Sequence, residues 1–205
     1  MIPALEALQR LRDGNARFAS DEDNSGGLTD RERSTQIAAA QEPFAIILGC
    51  SDSRVPAEIV FDQGLGDLFV IRVAGNIVAP SLVGSVEFAA ARYNVRLVVV
   101  MGHSQCGAIL ATMEELQNTG GVLSPNLMSI VNRVRPSVEA LLLTDLKNNP
   151  AELIHQAVRA NVRMSANQLR QGSQLLEQLI AQGDLLVIGA EYSLETGVVD
   201  FFDGL

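Results

Sequence analysis

The chain alternates continuous apolar runs with helix-like patterns, and this alternation constrains its fold more than any other feature. The apolar runs lie at about 43–49, 67–73, 96–102 and 185–190, and the helical patterns at about 81–93, 103–118, 125–145 and 151–181. Runs rich in Val, Ile and Leu are typical of strands covered on both faces. Strands separated by helices imply parallel βαβ units. The sequence therefore predicts an α/β fold with a mostly parallel central sheet of four strands, flanked by helices.

Residues 1–40 predict an N-terminal helical arm. Leucines at near-helical spacing among charged residues indicate an amphipathic helix over residues 3–18. The leucines of its apolar face are Leu5, Leu8 and Leu11. A polar, glycine-bearing stretch at about 20–29 predicts a loop, and a short helix is predicted at about 31–40. The first helix could pack on its own chain or on a neighbouring copy.

Two further features complete the expected architecture. Segment 197–202 follows a turn-like Glu-Thr-Gly sequence and predicts a hairpin strand at one edge of the sheet. Gly172 and Ser173 are expected to bend or split the last long helix. A length of 205 residues with 47% hydrophobic content suits one substantial core. We expect a single domain over 1–205, with the α/β core at 41–205.

Composition limits the partners that the chain can have. A formal net charge of -9 and the lack of a basic stripe argue against nucleic acid. The apolar runs are far shorter than the ~20 residues needed to span a bilayer, and the N-terminus lacks the pattern of a signal peptide. We therefore expect a soluble, cytoplasmic protein with no membrane partner. Two cysteines are too few for a secreted disulfide scaffold, which leaves metal binding, catalysis or packing.

Reactive side chains follow two of the predicted strands. Cys50, Asp52 and Arg54 come directly after the first apolar run, while His103 and Cys106 follow the third. In open α/β sheets, ligand and catalytic groups gather outside the carboxyl ends of parallel strands. Cys50, His103 and Cys106 are therefore expected to meet there.

Two cysteines and one histidine match a soft, tetrahedral zinc site. His103 and Cys106 are at i and i+3, which on a helix places both side chains on one face, and the helix start would assist ionisation of Cys106. Three protein ligands leave a position for water, which zinc makes acidic enough to supply hydroxide at neutral pH. Asp52 could accept a hydrogen bond from this water while Arg54 holds its carboxylate in place.

At these positions the sequence resembles the β-class carbonic anhydrases. The resemblance rests on Cys50-Ser-Asp-Ser-Arg54 and His103-Ser-Gln-Cys106-Gly107, and similar segments at 67–76, 84–88 and 189–197 extend it over most of the chain. It implies one zinc ion per chain, bound by Cys50, His103 and Cys106, with Asp52 and Arg54 as the catalytic dyad. It also implies reversible hydration of CO2 to bicarbonate and a proton by zinc-bound hydroxide.

The resemblance further implies a set of substrate-binding residues and an assembly. The residues are Gln41, Phe69, Ala74, Phe88 and Gly107. Plant-type members usually carry valine at the position of Ala74 and tyrosine at that of Phe88, so pocket volume and one hydroxyl differ here. Members of the family pair into dimers, often dimers of dimers, with the cleft at the interface. We expect a homodimer or homotetramer in which a neighbour buries the apolar face of the N-terminal helix.

Alternatives remain open at the level of the sequence. The same zinc site could hydrolyse carbon disulfide or a related heterocumulene. Cys50 could instead be a nucleophile with His103 as its base, or the zinc could be purely structural. The two thiols could simply be buried together, and Asp52 and Arg54 could be a surface ion pair. His155, on a predicted helix, is interpreted as a surface histidine in preference to a proton shuttle.

Some members of the resembled family close the zinc site by moving the dyad aspartate onto the metal. Bicarbonate stabilises that state in a pocket formed by a tryptophan, an arginine and a tyrosine. Arg72 and Tyr192 align with the last two, but Ile47 occupies the tryptophan position. Since isoleucine cannot donate a hydrogen bond to the anion, we expect the site to stay open near neutral pH.

Overall fold

The computed structural model describes residues 2–20, 41–117 and 123–205. Within these ranges the helices are α1 (Ala4–Ala19), α2 (Ala57–Val60), α3 (Pro80–Tyr93), α4 (Gly107–Leu116), α5 (Pro125–Leu142), α6 (Pro150–Gln171) and α7 (Gln174–Ala181). The strands are β1 (Ala45–Gly49), β2 (Leu68–Arg72), β3 (Leu97–His103), β4 (Leu186–Tyr192) and β5 (Val199–Asp203). The loop predicted at about 20–29, apart from Ser20, and the helix predicted at about 31–40 lie outside the described residues.

The described strands form one sheet in the order β2-β1-β3-β4-β5. Neighbouring strands run parallel from β2 to β4, and β5 pairs antiparallel with β4. Every residue of β1 and β3 is buried, because helices cover both faces of the sheet. The predicted fold class, with four parallel strands and one added edge strand, is confirmed. The predicted break at Gly172 is also present, since α6 ends at Gln171 and the Ser173 hydroxyl caps α7 by accepting the Leu176 N–H.

Helix α1 packs on the sheet of its own chain. Leu8 and Leu11 are buried in the core cluster that includes Ile47 of β1, whereas Leu5 is 71% exposed. The Asn15 side chain fixes the end of α1 by accepting the Val199 N–H and donating to the carbonyls of Val60 and Gly197. The prediction that a neighbouring copy buries this face is therefore wrong for Leu8 and Leu11, because the chain's own sheet already covers them.

Helix α6 lies unusually close to the opposite face of the sheet. A Cβ atom placed on Gly102 would come within 2.7 Å of Val162 Cγ2, a separation that real side chains do not adopt. The absence of a side chain at Gly102 therefore allows the Val162 side chain of α6 to pack directly against the backbone of β3. This approach brings polar residues of α6 to the carboxyl ends of the strands.

The structure corrects the predicted helix at 103–118. His103 is the last residue of β3, where it pairs with Tyr192, and α4 begins only at Gly107. Between them, Gln105 has a left-handed backbone with φ of 56°, which ends the strand and prevents the helix from starting earlier. His103 and Cys106 therefore do not share a helical turn, although the turn between them still brings both to the same edge of the sheet.

Candidate metal centre

The three proposed ligands converge at the carboxyl edge of the sheet. Cys50 follows β1, His103 ends β3, and Cys106 directly precedes α4. Because β1 and β3 are parallel neighbours, their ends lie side by side. One potential ligand atom from each residue lies within 4.8 Å of the others, and all three side chains are buried. The apolar residues around them come from the cluster that α4, α5 and α6 share.

The histidine is arranged as a metal ligand. Its Nδ1 lies 2.8 Å from the Ser104 carbonyl oxygen, so Nδ1 carries the proton and donates it there. The lone pair is therefore on Nε2, which is buried and has no hydrogen-bond partner among the described residues. A buried polar nitrogen without a partner is costly, and coordination of a cation removes that cost. One imidazole nitrogen and two thiol sulfurs fit a zinc ion.

The two cysteines are free thiols that influence each other's ionisation. A hydrogen bond from Cys106, together with the Gly75 N–H at 3.4 Å from the sulfur, lowers the pKa of Cys50 to about 4, although burial opposes this. The same bond to Cys50 and burial raise the pKa of Cys106. The backbone N–H groups of Ala108 and Ile109 at the start of α4 lower the pKa of Cys106, as expected of a helix start, but Cys50 and burial outweigh them. A bound cation would replace the shared proton and favour both thiolates.

Asp52 lies at the edge of the centre and is held by Arg54. Arg54 Nε donates to Asp52 Oδ1 at 2.9 Å and Nη2 donates to Oδ2 at 2.8 Å, while the Arg54 backbone N–H also donates to Oδ1 at 3.0 Å. The side-chain hydrogen bonds from Arg54 hold the pKa of Asp52 well below its usual range. Asp52 Oδ2 lies 3.8 Å from His103 Nε2. An ionised acceptor thus faces the position that a ligand of the metal would occupy.

Arg72 supports the loop that carries these groups. Its Nε donates to the Cys50 carbonyl at 3.0 Å, and its Nη2 donates to the Asp52 carbonyl at 2.5 Å. Ile47 and Tyr192, the other two positions of the expected bicarbonate pocket, are buried in the apolar cluster beneath α1. In this arrangement the Arg72 guanidinium donates to backbone oxygens, and the Asp52 carboxylate is paired with Arg54.

The structure divides the predicted substrate-binding residues into two groups. Ala74 lies in the short 3-10 helix (Ala74–Asn76) that follows β2, and Gly107 begins α4 beside Cys106. Gln41 lies elsewhere, since its Nε2 donates to the Tyr93 hydroxyl at 2.7 Å and Tyr93 precedes the amino end of β3. A seven-residue strand is about 20 Å long, so Gln41 lies roughly that far from His103.

Phe69 and Phe88 belong with Gln41 at this distant position. Their ring centroids are 6.3 Å apart, and the Tyr93 ring lies 5.7 Å from that of Phe88 and 6.2 Å from that of Phe69. We call these three rings the aromatic cluster. Within one chain, Gln41, Phe69 and Phe88 are therefore not brought to the metal centre. Tyr93 was not identified from the sequence, although it places a hydroxyl beside Phe88, where plant-type members carry a tyrosine.

Further residues around the proposed ligands were not predicted from the sequence. The Ser104 hydroxyl donates to Glu195 Oε2 at 2.7 Å, which anchors the segment whose carbonyl binds His103. Asn161 Nδ2 donates to the Gly75 carbonyl at 2.8 Å, and the Gly75 N–H faces Cys50. Gly75 lies three residues after the end of β2, and no sequence pattern indicates its contact with Asn161 on a distant helix.

His155 lies on α6 with 43% of its side chain exposed, in agreement with its interpretation as a surface residue. Its Nε2 lies 3.2 Å from Oε2 of Glu191, a carboxyl group that is buried at the end of β4. Burial raises the pKa of Glu191, although His155 and Arg159 act in the opposite direction.

The fold and the site together define a class of protein, namely an α/β protein with a buried Cys2His cluster that can hold a metal ion at the carboxyl ends of its parallel strands. The sequence profile of the carbonic anhydrase family matches residues 45–199. The chain therefore belongs to this family, and its fold places it in the β-class.

Individual relatives agree with this assignment. The chain is 39% identical to a carbonic anhydrase of Mycolicibacterium smegmatis over 95% of its own length and 91% of the relative's. It is 37% identical to carbonic anhydrase 2 of Mycobacterium tuberculosis, over 93% of this chain and 89% of the relative. Among solved structures, the β-carbonic anhydrase CcaA superposes with a TM-score of 0.75 at 26% identity, covering 98% of this chain and 93% of that one.

Proposed function

We propose that this protein is a zinc-dependent carbonic anhydrase that catalyses the reversible hydration of CO2 to bicarbonate and a proton. The observation that carries this proposal is the buried Cys50–His103–Cys106 centre with the ionised Asp52 carboxylate at its edge. The family assignment and the named relatives support the same activity. They favour CO2 hydration over hydrolysis of carbon disulfide, since the relatives are named carbonic anhydrases.

The three ligands would hold one zinc ion per chain. When bound, zinc supplies Lewis acidity that lowers the pKa of a water molecule in the open fourth position. Cys50 and Cys106 contribute two negative charges, which makes the set selective for a soft or borderline cation. The Ser104 carbonyl fixes the His103 ring by accepting the proton of Nδ1, and this leaves Nε2 free to bind.

Asp52 and Arg54 would orient the attacking water. Because Arg54 keeps Asp52 ionised, the carboxylate can only accept a hydrogen bond and cannot donate one. A water that donates one proton to Asp52 presents its lone pair to the carbon of CO2. Arg54 prevents the carboxylate from rotating, since it binds both oxygens with a matching pair of donors.

Substrate contacts would come from two copies of the chain. Ala74 and Gly107 lie beside the centre of their own chain, whereas Gln41, Phe69 and Phe88 lie about one strand length away. We therefore propose a homodimer, or a homotetramer built from dimers, in which the aromatic cluster of one copy approaches the metal centre of another. Phe88 is 52% exposed, which leaves much of its ring available to a partner.

We also propose that the chain forms one domain and acts in the cytoplasm. α1, α3 and α6 all pack on one sheet, which argues against a division of the core at 41–205. Within the described ranges, no helix is long and apolar enough to cross a membrane. Two free cysteines that serve as metal ligands suit a reducing compartment.

Metal analysis and stopped-flow CO2 hydration on the same sample test the proposed function. Purification without chelator should yield one zinc per chain and measurable hydration. Replacing Cys106 with Ser should remove both, because a ligand is lost. Full activity with far less than one zinc per chain would contradict the proposal, and so would zinc at full occupancy with no hydration.

A further inference from the structure

Cys50 has a hydrogen-bond donor built into the turn that follows β2. The Gly75 N–H lies 3.4 Å from the Cys50 sulfur. Gly75 has a left-handed backbone with φ of 70°, and a Cβ atom on it would come within 2.9 Å of the Ala108 Cβ. Glycine is therefore required both by the backbone conformation and by the space available. The turn brings a peptide N–H, without any side chain, against a metal ligand.

The opposite side of the same residue is held by Asn161. This side chain is 2% exposed, and its Nδ2 donates to the Gly75 carbonyl at 2.8 Å. Asn161 reaches the turn because α6 lies against the sheet at Gly102. Without this donor, the buried Gly75 carbonyl would lose a partner, at a cost that favours a change in the backbone torsions of Gly75. Since these torsions join the carbonyl to the N–H of the same residue, such a change would also move the N–H that faces Cys50.

We infer that Asn161 is a positioning residue for the metal centre, which fixes Gly75 so that its N–H stays on the Cys50 sulfur. This inference rests on the proposed zinc centre. Hydrogen bonds to a coordinating thiolate withdraw charge from the sulfur and restrict its position, so partners outside the ligand set tune both metal affinity and reactivity. Asn161 makes no hydrogen bond to Cys50, His103 or Cys106, and acts through Gly75.

The zinc-loaded protein offers a readout that a merely structural role would not change. Zinc transfer to a chromophoric chelator should be about 10–100-fold faster from Asn161→Ala than from the wild type, since loss of a partner outside the ligand set typically weakens metal binding by that factor. Asn161→Asp, which is similar in size and cannot donate when ionised, should change the rate in the same direction. The cobalt-substituted protein should show a shifted thiolate-to-metal absorption band in both variants.

Asn15→Ala is the matched control. Asn15 is also a buried asparagine that binds two backbone carbonyls and one N–H, but none of its partners, Val60, Gly197 and Val199, hydrogen-bonds to a proposed metal ligand or to Gly75. The Asn15→Ala substitution should lower the free energy of unfolding without changing the rate of zinc release. Equal acceleration in Asn15→Ala would show that general loosening releases the metal, and unchanged release in the Asn161 variants would also overturn the inference.

A measurement on the wild type keeps the inference testable if neither variant folds. In the cadmium-113 form, the Gly75 amide proton should show scalar coupling to the metal through the N–H···S hydrogen bond. Absence of this coupling would refute the first step of the inference. A wild-type protein that binds no zinc would instead refute the proposed function, so the two failures are distinguishable.

Discussion

At the scale of single residues, substitution of Asp52 tests whether metal binding and turnover depend on different side chains. Asp52→Asn should leave the zinc content unchanged, because Asp52 is not one of the three ligands. The amide cannot replace both carboxylate oxygens that Arg54 binds, so water in the centre loses its fixed acceptor. We expect kcat to fall by about 10–100-fold in stopped-flow assays.

Asp67→Asn provides the control for this substitution. Asp67 is also paired with an arginine, Arg10, at 3.0 Å, but it precedes the amino end of β2 and lies away from the ligands. Its replacement should leave both zinc content and kcat near the wild-type values. Loss of zinc from Asp52→Asn would instead indicate that this carboxylate binds the metal.

Glu191 should make stability depend on pH. Burial raises its pKa, so the folded state favours the protonated carboxyl. The stability that this group contributes is complete below the ordinary carboxyl pKa and is lost as pH rises through the raised value. Glu191→Gln removes this loss, so the Tm of the variant relative to the wild type should increase between about pH 5 and pH 8.

Thermal unfolding of the metal-loaded proteins over this pH range measures the effect. The exposed Glu177 on α7 supplies the control, and Glu177→Gln should follow the wild type at each pH. A constant difference between Glu191→Gln and the wild type would contradict the prediction.

At the scale of elements, α1 illustrates what an amphipathic pattern does and does not specify. The spacing of Leu8 and Leu11 predicted a helix with one apolar face, and that helix is present. The spacing does not show which surface packs against the apolar face of α1. In the structure, the sheet of the same chain packs against it. The same limitation applied to His103 and Cys106, whose i, i+3 spacing suggested a helical turn although it spans the end of β3 and a left-handed Gln105.

Leu11 and Leu5 form a matched pair on this helix. Leu11 is fully buried, so Leu11→Ala should lower the free energy of unfolding by about 2–5 kcal/mol. Leu5 is largely exposed, so Leu5→Ala should change it by less than about 0.5 kcal/mol. Denaturant unfolding at several protein concentrations measures both. Similar small effects from the two substitutions would show that α1 does not pack as described.

The convergence of the three proposed metal ligands could be predicted from the sequence, because the apolar runs show where the strands end. Continuous apolar runs located β1 and β3, and parallel strands place their carboxyl ends together, so Cys50 and His103 had to be neighbours. The contact between Asn161 and Gly75 could not be found in this way. It depends on the distance at which α6 packs on the sheet, and both Gly102 and Gly189 allow that distance, since a Cβ on either would lie within 2.8 Å of the Val162 side chain.

At the scale of the whole molecule, the separation of Gln41 and Phe88 from their own metal centre predicts an obligate assembly. Light scattering on an active sample should give at least twice the 22.0 kDa mass of one chain. Phe88→Asp should weaken association and lower hydration together, because a charge would be placed on the aromatic cluster.

Leu143→Asp is the control for this surface. Leu143 is 84% exposed at the end of α5, outside the aromatic cluster, and its replacement should leave both mass and activity unchanged. Full activity from a species with the mass of one chain would contradict the proposed assembly.

Because the proposed ligands come from the ends of two strands, the metal centre can form only after both strands have been synthesised. Cys50 leaves the ribosome long before His103 and Cys106, and β3 must be complete before their side chains meet. Asn161 is made later still, so the turn that faces Cys50 is secured only after α6 has docked. The nascent chain therefore carries only one of its two thiols until Cys106 is made, and on the proposed function zinc would be captured late in folding.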